Sequence, residues 1–447
     1  MGHTLPLIAE VDGTEIPATT GSDLVDANIG AGVEMKIVVL GGGVVGVTTA
    51  YQLQQDGHEV TVIERQPSVA EETSWGNAGM IAPGHSFAWS SPQAPMILLK
   101  SLVLKNQALR FKPSLDPRLW TWSLKFLAQC TSEKAALNTL RKHRLALYSQ
   151  SVLHEVVDRE NIQFDNTRKG IIYFYRDEAS LERGFEHMQI LANDGQEIRR
   201  LTTQQVIELE PALAANQHKI AGAVYAPTDE TGDCNKFTAG LARICQERGA
   251  EFLTGTTVKG FNMTRGEISG VATDRGEVKG DLYVLSLGSY SPMVARTVNI
   301  DLPIYPVKGY TLTIPVGNHG ACPKIGCVDE NNLVAISPLG DRIRATATAE
   351  FAGYDASHRP SDFAFMKSVV QELYPDAADY DRAHMWAGLR PMTPTNMPII
   401  GPSRYRNLFF NTGHGHIGWT MSNGSARIAA DMIAGRTPAI PLDGLAA

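Results

Sequence analysis

The sequence has few of the features that mark a secreted, nucleic-acid-binding or zinc-binding protein. Its five cysteines include no CxxC pair and no histidine partner at zinc-finger spacing, which predicts free thiols in a reducing compartment. The formal net charge is −7, so the chain lacks the basic balance that a nucleic-acid partner requires. A hydrophobic fraction of 43% and a length of 447 residues instead indicate a globular protein with two domains.

The first 34 residues contain no Lys or Arg and carry six acidic side chains, so their net charge is −6. Residues 35–447 therefore carry a net charge of −1. Without a basic start, an apolar core or arginine enrichment, this leader is neither a secretory signal nor a mitochondrial transit peptide. We interpret residues 1–34 as an acidic flexible extension and Met35 as the functional start. The most hydrophobic stretch, 35–53, is broken by glycines and fits a strand–turn–helix better than a membrane span.

That stretch opens a βαβ unit, "KIVVLGGGVVGVTTAYQLQQDGHEVTVIER". A β-branched run precedes Gly41, Gly43 and Gly46, which match G-x-G-x-x-G, and a second strand ends at the acid Glu64. The glycines allow the tight turn, the approach of a pyrophosphate and close helix packing, while the helix N-terminus favours the phosphates. Glu64 is placed to accept from a ribose hydroxyl, which favours NAD or FAD over NADP. Flanking candidates are Val44, Val45 and Arg65.

The next segment, "EETSWGNAGMIAPG" at 71–84, favours FAD over NAD. An NAD-binding domain continues here with further helix–strand alternation, whereas this run is small and polar. It resembles the loop of amine-oxidising flavoproteins that crosses the pyrophosphate and lies along the flavin. That resemblance implies cofactor contacts for Ser74, Asn77, Ala78, Gly79 and Met80.

Near the C-terminus, "NTGHGHIGWT" at 411–420 places two histidines in a glycine-rich turn. A short strand precedes the turn, and small residues at helical spacing follow it, so a helix is predicted to begin near Gly418. Its N-terminal dipole would favour the negative charge of a reduced flavin. A metal would need further ligands, and none is spaced nearby; we therefore predict no metal, a flavin-facing His414 and a structural His416. Cofactor candidates in this turn are Gly413, His414, Gly415, Ile417, Gly418, Trp419 and Thr420.

From Met35 to about Pro441 the chain resembles the bacterial FAD-dependent D-amino-acid dehydrogenases (small-subunit type) of the amino-acid and sarcosine oxidase superfamily. The resemblance rests on the stretches above and on "DETGDCNKFTAGLA", "LSLGSYSP", "PVKGYTLTIP" and "GLRPMTPTNMPIIG". One departure is Thr395-Asn396, where the family usually has Asp-Gly.

The resemblance implies a mixed α/β and α+β fold. A glutathione-reductase-like (Rossmann-type) FAD domain would comprise 35–90, 200–300 and 386–440, and an antiparallel-sheet substrate domain would comprise 91–199 and 301–385. It also implies cofactor contacts at Val258 and Gly288. Period-two patterns at 306–316, 332–340 and 342–351 agree with antiparallel strands that have one wet face.

The implied activity is oxidative deamination of D-amino acids to 2-oxo acids and ammonia, by hydride transfer from Cα to flavin N5. The electrons would pass to a quinone or another non-oxygen acceptor. Two alternatives remain: an oxidase of glycine, sarcosine or another secondary amine that uses oxygen, and a partner-dependent FAD subunit of a heteromeric dehydrogenase.

Four residues are candidates for substrate contact. Arg390 offers a planar, bidentate fork for the substrate carboxylate, which is also the family's use of this position. Tyr310 is expected to face the flavin and to bind the carboxylate or the amine. Lys308 and His85 are weaker candidates, at the same pocket and at its entrance. Arg342 and Arg344 fit charges on the face of a sheet.

The segment 98–129 combines six basic residues with one acid and contains two tryptophans. Basic residues with interfacial aromatics fit peripheral attachment to an anionic membrane. The alternative is a linker whose aromatics pack into the substrate domain. The expected location is therefore the cytoplasm, with attachment to the cytoplasmic face of the bacterial inner membrane as the alternative.

Overall fold

The computed structural model describes residues 33–101, 109–112 and 115–445. The strands, in chain order, are β1 Lys36–Leu40, β2 Glu59–Ile63, β3 Met80–Ile81, β4 Leu109–Phe111, β5 Ile171–Tyr175, β6 Arg199–Thr202, β7 Gly222–Ala226, β8 Glu230–Thr231, β9 Glu251–Leu253, β10 Val258–Thr264, β11 Glu267–Thr273, β12 Gly276–Val278, β13 Leu282–Leu285, β14 Tyr305–Pro315, β15 Gly326–Asp329, β16 Val334–Leu339, β17 Arg342–Phe351, β18 His384–Met392, β19 Ile399–Pro402 and β20 Leu408–Thr412. The α-helices are α1 Val44–Gln55, α2 Ala94–Ser101, α3 Pro117–Leu127, α4 Ser132–Glu160, α5 Glu178–Ala192, α6 Thr203–Leu209, α7 Cys234–Glu247, α8 Ser291–Ala295, α9 Ala364–Leu373 and α10 Gly418–Ile433.

The first sheet is built around the predicted βαβ unit. Within the described residues its strand order is β19-β20-β13-β1-β2-β9, and β1, β2, β9, β13 and β20 run parallel. The segments 251–261 and 281–291 supply β9 and β13 to this sheet, while β10 joins a small separate sheet with β11 and β12. The parallel strands are apolar because helices cover them.

Helix α1 lies so close to the first strand that only glycine fits at their contact. A Cβ built on Gly46 would stand 1.8 Å from the carbonyl oxygen of Gly41. Gly41 itself has a φ of +116°, which a residue with a side chain rarely adopts. Helices α4, α7 and α10 add buried side chains to the same core, among them Leu153, Phe237 and Trp419.

The second sheet is large and mainly antiparallel. Its order among the described strands is β18-β14-β17-β16-β15-β5-β7-β6, with β4 paired to β17. The three predicted period-two strands are confirmed as β14, β16 and β17. The expectation of one wet face is wrong for β14, whose residues from Tyr305 to Ile314 are all buried. Apolar side chains lie on one of its faces and the site described below lies on the other.

Membership of the two sheets differs from the segments expected for the two domains. Strands β6 and β7 lie within 199–226 and belong to the second sheet, although 200–300 was expected in the cofactor domain. Strand β18 also belongs to the second sheet, although 386–440 was expected with the first. Helix α4 lies within 91–199 but contributes to the core around α1 and α10. The chain therefore crosses between the two sheets more often than the resemblance implied.

Candidate active site

A cavity of about 930 Å³ lies between the two sheets. On one side it meets the residues that follow the carboxyl ends of β1, β2, β13 and β20. This is where ligands bind in open α/β sheets. On the other side its wall is formed by β14, β17 and β18 of the second sheet. The cavity is large enough for a ligand of cofactor size together with a small substrate.

The dinucleotide end of the cavity is preformed. Glu64 Oε2 accepts from the N–H of Gly42 at 2.8 Å, and Oε1 accepts from the N–H of Gln66 at 2.8 Å. Burial raises the pKa of this carboxyl, and the two backbone donors oppose that effect. Ser74 Oγ accepts from the N–H of Val44 at 2.9 Å, which ties the loop 71–84 to the first turn of α1.

A buried arginine fixes the loop 71–84 from the side of the second sheet. Arg344 is 3% exposed and donates from Nη1 to the carbonyl oxygens of Trp75 (2.7 Å) and Asn77 (2.9 Å). Its guanidinium also lies over the Trp75 ring, 5.2 Å from the centroid. The expectation that Arg344 is a sheet-face charge is therefore wrong. Its alternation with apolar residues gave no sign that another loop covers this part of the sheet.

Both histidines of the C-terminal turn border the cavity, but their rings make different contacts. The His414 ring is buried, with Nε2 2.8 Å from Ser425 Oγ in α10, and burial lowers its pKa to about 3. His416 instead stacks on Trp89, with ring centroids 4.7 Å apart, and lines the cavity. The predicted helix start at Gly418 is confirmed, so the N-terminus of α10 borders the cavity.

Arg390 lies on the cavity wall in β18. It donates from Nη1 to the carbonyl oxygen of Thr348 at 3.1 Å, and no carboxylate among the described residues forms an ion pair with it. Burial lowers its pKa to about 10, so the guanidinium stays charged at neutral pH. Gly309 on the paired strand makes room for it, because a Cβ there would stand 2.4 Å from Arg390 Cζ. An uncompensated buried cation calls for an anionic ligand.

Tyr310 and Lys308 do not share this wall. Gly309 and Thr311 of β14 line the cavity, and the residues that alternate with them point to the opposite face. There the Tyr310 hydroxyl donates to Glu350 Oε2, and Lys308 Nζ lies 3.5 Å from Glu350 Oε1. Tyr310 also packs against Phe363 in the core of that face. Neither side chain is therefore placed to contact a substrate, contrary to the sequence-based expectation.

His85 lies on the cavity wall, as its predicted position at the entrance requires. Its ring is stacked on Tyr173 with centroids 5.6 Å apart, and its Nδ1 lies 3.9 Å from Glu330 Oε1. Burial, with a smaller contribution from Lys142, lowers its pKa to about 4. The imidazole is consequently neutral at physiological pH.

Most predicted cofactor residues border one continuous space. All of them line the cavity except Gly46, which packs α1 on its strand, and Gly79, which has a φ of +74° in the loop. Four buried polar atoms at the cavity have no hydrogen-bond partner: Ser286 Oγ, Asn411 Oδ1, His416 Nδ1 and Trp419 Nε1. These orphaned groups, the glycine turn and the two helix N-termini fit a large polar dinucleotide. No cluster of three or more potential metal ligands occurs among the described residues.

Comparisons with known proteins agree with this site. The family described as "DAO: FAD dependent oxidoreductase" matches residues 36–432. D-amino acid dehydrogenase 2 of Mesorhizobium japonicum is 46% identical over 412 residues, which cover 92% of this chain and 99% of that protein. D-amino acid dehydrogenase of Paramagnetospirillum magneticum is 42% identical over 414 residues, with 92% and 98% covered.

Solved structures share the fold at lower identity. Glycine oxidase from Geobacillus kaustophilus superposes with a TM-score of 0.70 at 22% identity, covering 92% of this chain and 98% of its own. L-proline dehydrogenase from P. horikoshii gives 0.69 at 20% identity, with 92% and 96% covered. The mixed α/β architecture with a Rossmann-type cofactor sheet is thus that of amino-acid-oxidising flavoproteins. With its cavity, its dinucleotide turn and these relatives, the chain belongs to the family of FAD-dependent oxidoreductases.

Proposed function

We propose that this enzyme oxidatively deaminates D-amino acids to 2-oxo acids and ammonia and passes the electrons to a quinone or another non-oxygen acceptor. The single observation that carries the proposal is Arg390, a buried guanidinium on the cavity wall without an ion-pair partner among the described residues. Its fork fits the carboxylate that every α-amino acid has. The D configuration and the dehydrogenase class come from the names of relatives that are 41–46% identical.

The residues of this chain supply binding and positioning. FAD, when bound, supplies a hydride acceptor at N5. The turn Gly41–Gly43 and the N-terminus of α1 would hold the diphosphate, Glu64 would bind the ribose, and the loop 71–84 would contact the flavin. Arg390 fixes the substrate carboxylate, which orients Cα without any covalent intermediate. The N-terminus of α10, at Gly418, would stabilise the negative charge of a reduced flavin.

Turnover of paired D- and L-amino acids, with a quinone analogue or with oxygen as acceptor, tests this function. We expect ammonia and 2-oxo acid from the D isomers with the quinone analogue and little peroxide in air. Rapid peroxide release, or turnover of sarcosine, would identify an oxidase of glycine or secondary amines instead. An FAD-loaded protein that no amino acid reduces would identify a partner-dependent subunit.

Arg390→Ala tests the carboxylate contact within that assay. Two charge-assisted hydrogen bonds are each worth about 1.5–3 kcal/mol, so we expect kcat/KM to fall by about 10³-fold or more. FAD content, read from the visible spectrum, should be retained. Arg243→Ala, at an exposed position of α7, is the matched control. Unchanged turnover in Arg390→Ala would remove this residue from the substrate site.

We further propose that α2 and α3 attach the enzyme to an anionic membrane surface, where quinones are dissolved. The outward side of α3 carries large apolar side chains, with Trp120 52% exposed and Leu124 69% exposed, together with the exposed Lys125. Its inward side chains Trp122 and Phe126 pack under the second sheet, as the linker alternative for the segment 98–129 expects. Met96 and Leu99 of α2 extend the apolar surface.

The basic residues of this segment contribute unequally to that surface. Arg118 pairs with Asp116, and Arg110 pairs with Asp362. The side chain of Lys100, all of Lys105 and the rest of 102–108 lie outside the described residues. None of the described helices is long and apolar enough to cross a membrane. The proposed attachment is therefore a shallow insertion of apolar side chains assisted by basic ones.

Co-sedimentation with vesicles that contain anionic lipid tests the attachment. Leu124→Glu should reduce the bound fraction severalfold without changing turnover of a water-soluble acceptor. Met263→Glu changes another exposed apolar side chain, on β10, and should bind like the wild type. Equal binding of all three proteins would exclude α3 as the attachment surface.

A further inference from the structure

A buried lysine lies directly behind the cavity wall. Lys142 of α4 is 1% exposed, and its Nζ donates to the carbonyl oxygen of Phe87 at 3.0 Å. The same Nζ lies 3.2 Å from His416 Nε2. Among the described residues no carboxylate forms an ion pair with Lys142. A lysine buried without a counter-charge is expensive in its charged form, which favours the neutral amine.

The hydrogen-bonding state of His416 points to the same conclusion. A charged Lys142 would have to donate to Nε2, which would leave the ring proton on Nδ1, a buried atom without a partner. A neutral Lys142 accepts from Nε2–H through its lone pair, and only a bare nitrogen then remains unsatisfied at Nδ1. An unsatisfied acceptor is tolerated more readily than an unsatisfied N–H group. The pair is therefore assigned as neutral imidazole donating to neutral amine.

The surroundings keep the pair uncharged at rest. Burial lowers the pKa of Lys142 well below its usual value, and burial together with Lys142, His85 and Arg390 lowers that of His416. His187 in turn faces His85. Glu330 lies 3.9 Å from His85, and Asp229 accepts from the N–H of the adjacent Gly84; burial raises the pKa of each acid to about 7. No described carboxylate thus favours the charged lysine while the cavity lacks an anion.

We propose that Lys142 and His416 form the base that takes the proton which a substrate ammonium group loses before oxidation. This role rests on the function proposed above. The substrate N–H bond breaks and leaves its electron pair on nitrogen, the proton passes through the His416 ring, and an N–H bond forms at Lys142 Nζ. The Cα hydrogen then leaves with two electrons to FAD, and the product is an iminium carboxylate. The substrate thus loses one proton and one hydride in total.

Asn396 positions this pair through Trp89. Its side-chain Oδ1 accepts from the N–H of Trp89 at 2.9 Å, and the Trp89 ring is stacked on His416. Asn396 has a φ of +65°, a conformation that asparagine tolerates better than most residues with a side chain. The resembled family usually has glycine at this position. Asparagine therefore preserves the turn conformation and adds the hydrogen bond to Trp89. Asn396 is a positioning residue, since it acts on the pair only through Trp89.

Two measurements on the FAD-loaded protein test the base, with Lys142→Met, His416→Gln and the control Lys134→Met, an exposed lysine of α4. The first is unfolding as a function of pH from 8 to 10. The unfolded chain holds a lysine proton that the native state lacks, so stability rises with pH. The equilibrium constant for unfolding should fall about tenfold more per pH unit in the wild type than in Lys142→Met. Equal slopes would show a charged Lys142 and overturn the proposal.

The second measurement counts the protons released when one equivalent of D-alanine is added without oxygen to weakly buffered protein. Lys142→Met and His416→Gln should each release about one proton more per flavin reduced than the wild type or Lys134→Met, and kcat/KM should fall at least 100-fold. Lys142→Arg, which stays charged, should not restore the rate. Equal proton release in all variants, or rescue by arginine, would overturn the proposal. A wild-type flavin that D-alanine does not reduce would contradict the proposed function instead, while the pH slopes would still test Lys142.

Discussion

Arg390 and Gly309 show how one missing side chain makes room for a functional one. The guanidinium occupies the volume that a Cβ at Gly309 would take on the adjacent strand. Gly309 of β14 pairs with Gly388 of β18, so the space for the guanidinium is fixed by the register of the sheet and not by a flexible loop. A rigid sheet thereby orients the fork that we assign to the substrate carboxylate.

Gly309→Ala should therefore displace Arg390 and misplace the substrate. A shift of about 1 Å in a reacting group is enough to cost about 100-fold, so kcat/KM for D-alanine should fall by that order while FAD stays bound. The control is Gly317→Ala, where an added Cβ meets its nearest neighbours at 3.7 Å. Steady-state kinetics measure this effect. An unchanged kcat/KM in Gly309→Ala would show that the guanidinium lies elsewhere during turnover.

His414 gives the protein an acid sensitivity that can be measured. Its folded pKa of about 3 lies below the unfolded value near 6.5, so the unfolded state binds more protons between these values. Stability is therefore fully present above pH 6.5 and is lost as the pH falls toward 3.

His414→Gln keeps a polar group near Ser425 Oγ and removes the titrating ring. Denaturant unfolding at pH 7 and pH 5 should show a smaller loss of stability in this variant than in the wild type, by up to about 1.4 kcal/mol per pH unit below pH 6.5. His319→Gln, at an exposed position, should lose as much stability between pH 7 and pH 5 as the wild type. If His414→Gln behaves like that control, the ring is not buried in its neutral form.

Among the elements, the loop 71–84 depends most on contacts from both sheets. Ser74 ties it to α1, and Arg344 of β17 holds the carbonyl oxygens of Trp75 and Asn77. Thr311 of β14 donates to the carbonyl oxygen of Gly76 at 2.7 Å. These hydrogen bonds order the loop before any cofactor arrives, so its binding requires little further ordering.

Arg344→Met should loosen this loop and weaken FAD binding. The variant keeps apolar volume but leaves two buried carbonyl groups unpaired, so we expect the free energy of unfolding to fall by about 2–3 kcal/mol. FAD retention on gel filtration should fall as well. Arg243→Met changes an exposed arginine of α7 and should match the wild type in both measurements. Full FAD retention in Arg344→Met would show that the other contacts suffice.

At the scale of the molecule, local sequence predicted the cofactor sheet better than the substrate side. The βαβ unit and the helix start at Gly418 follow from glycine spacing and strand patterns, and both are confirmed. The orientation of Tyr310 did not follow, because β14 is buried on both faces, so its period-two pattern does not distinguish the face at the cavity from the face in the core. Lys142 was missed because it lies in a helix whose sequence mixes polar and apolar residues without a clear face. Only the distant segments around Phe87 and His416 bury it.

We propose that one cavity combines FAD with a carboxylate clamp for D-amino acids. Anaerobic visible spectroscopy of the purified holoenzyme, with D-alanine and L-alanine added in separate samples and air admitted afterwards, tests it most directly. We expect D-alanine alone to bleach the flavin band and the colour to return slowly in air but quickly with a quinone analogue. Bleaching by L-alanine but not by any D-amino acid would contradict it.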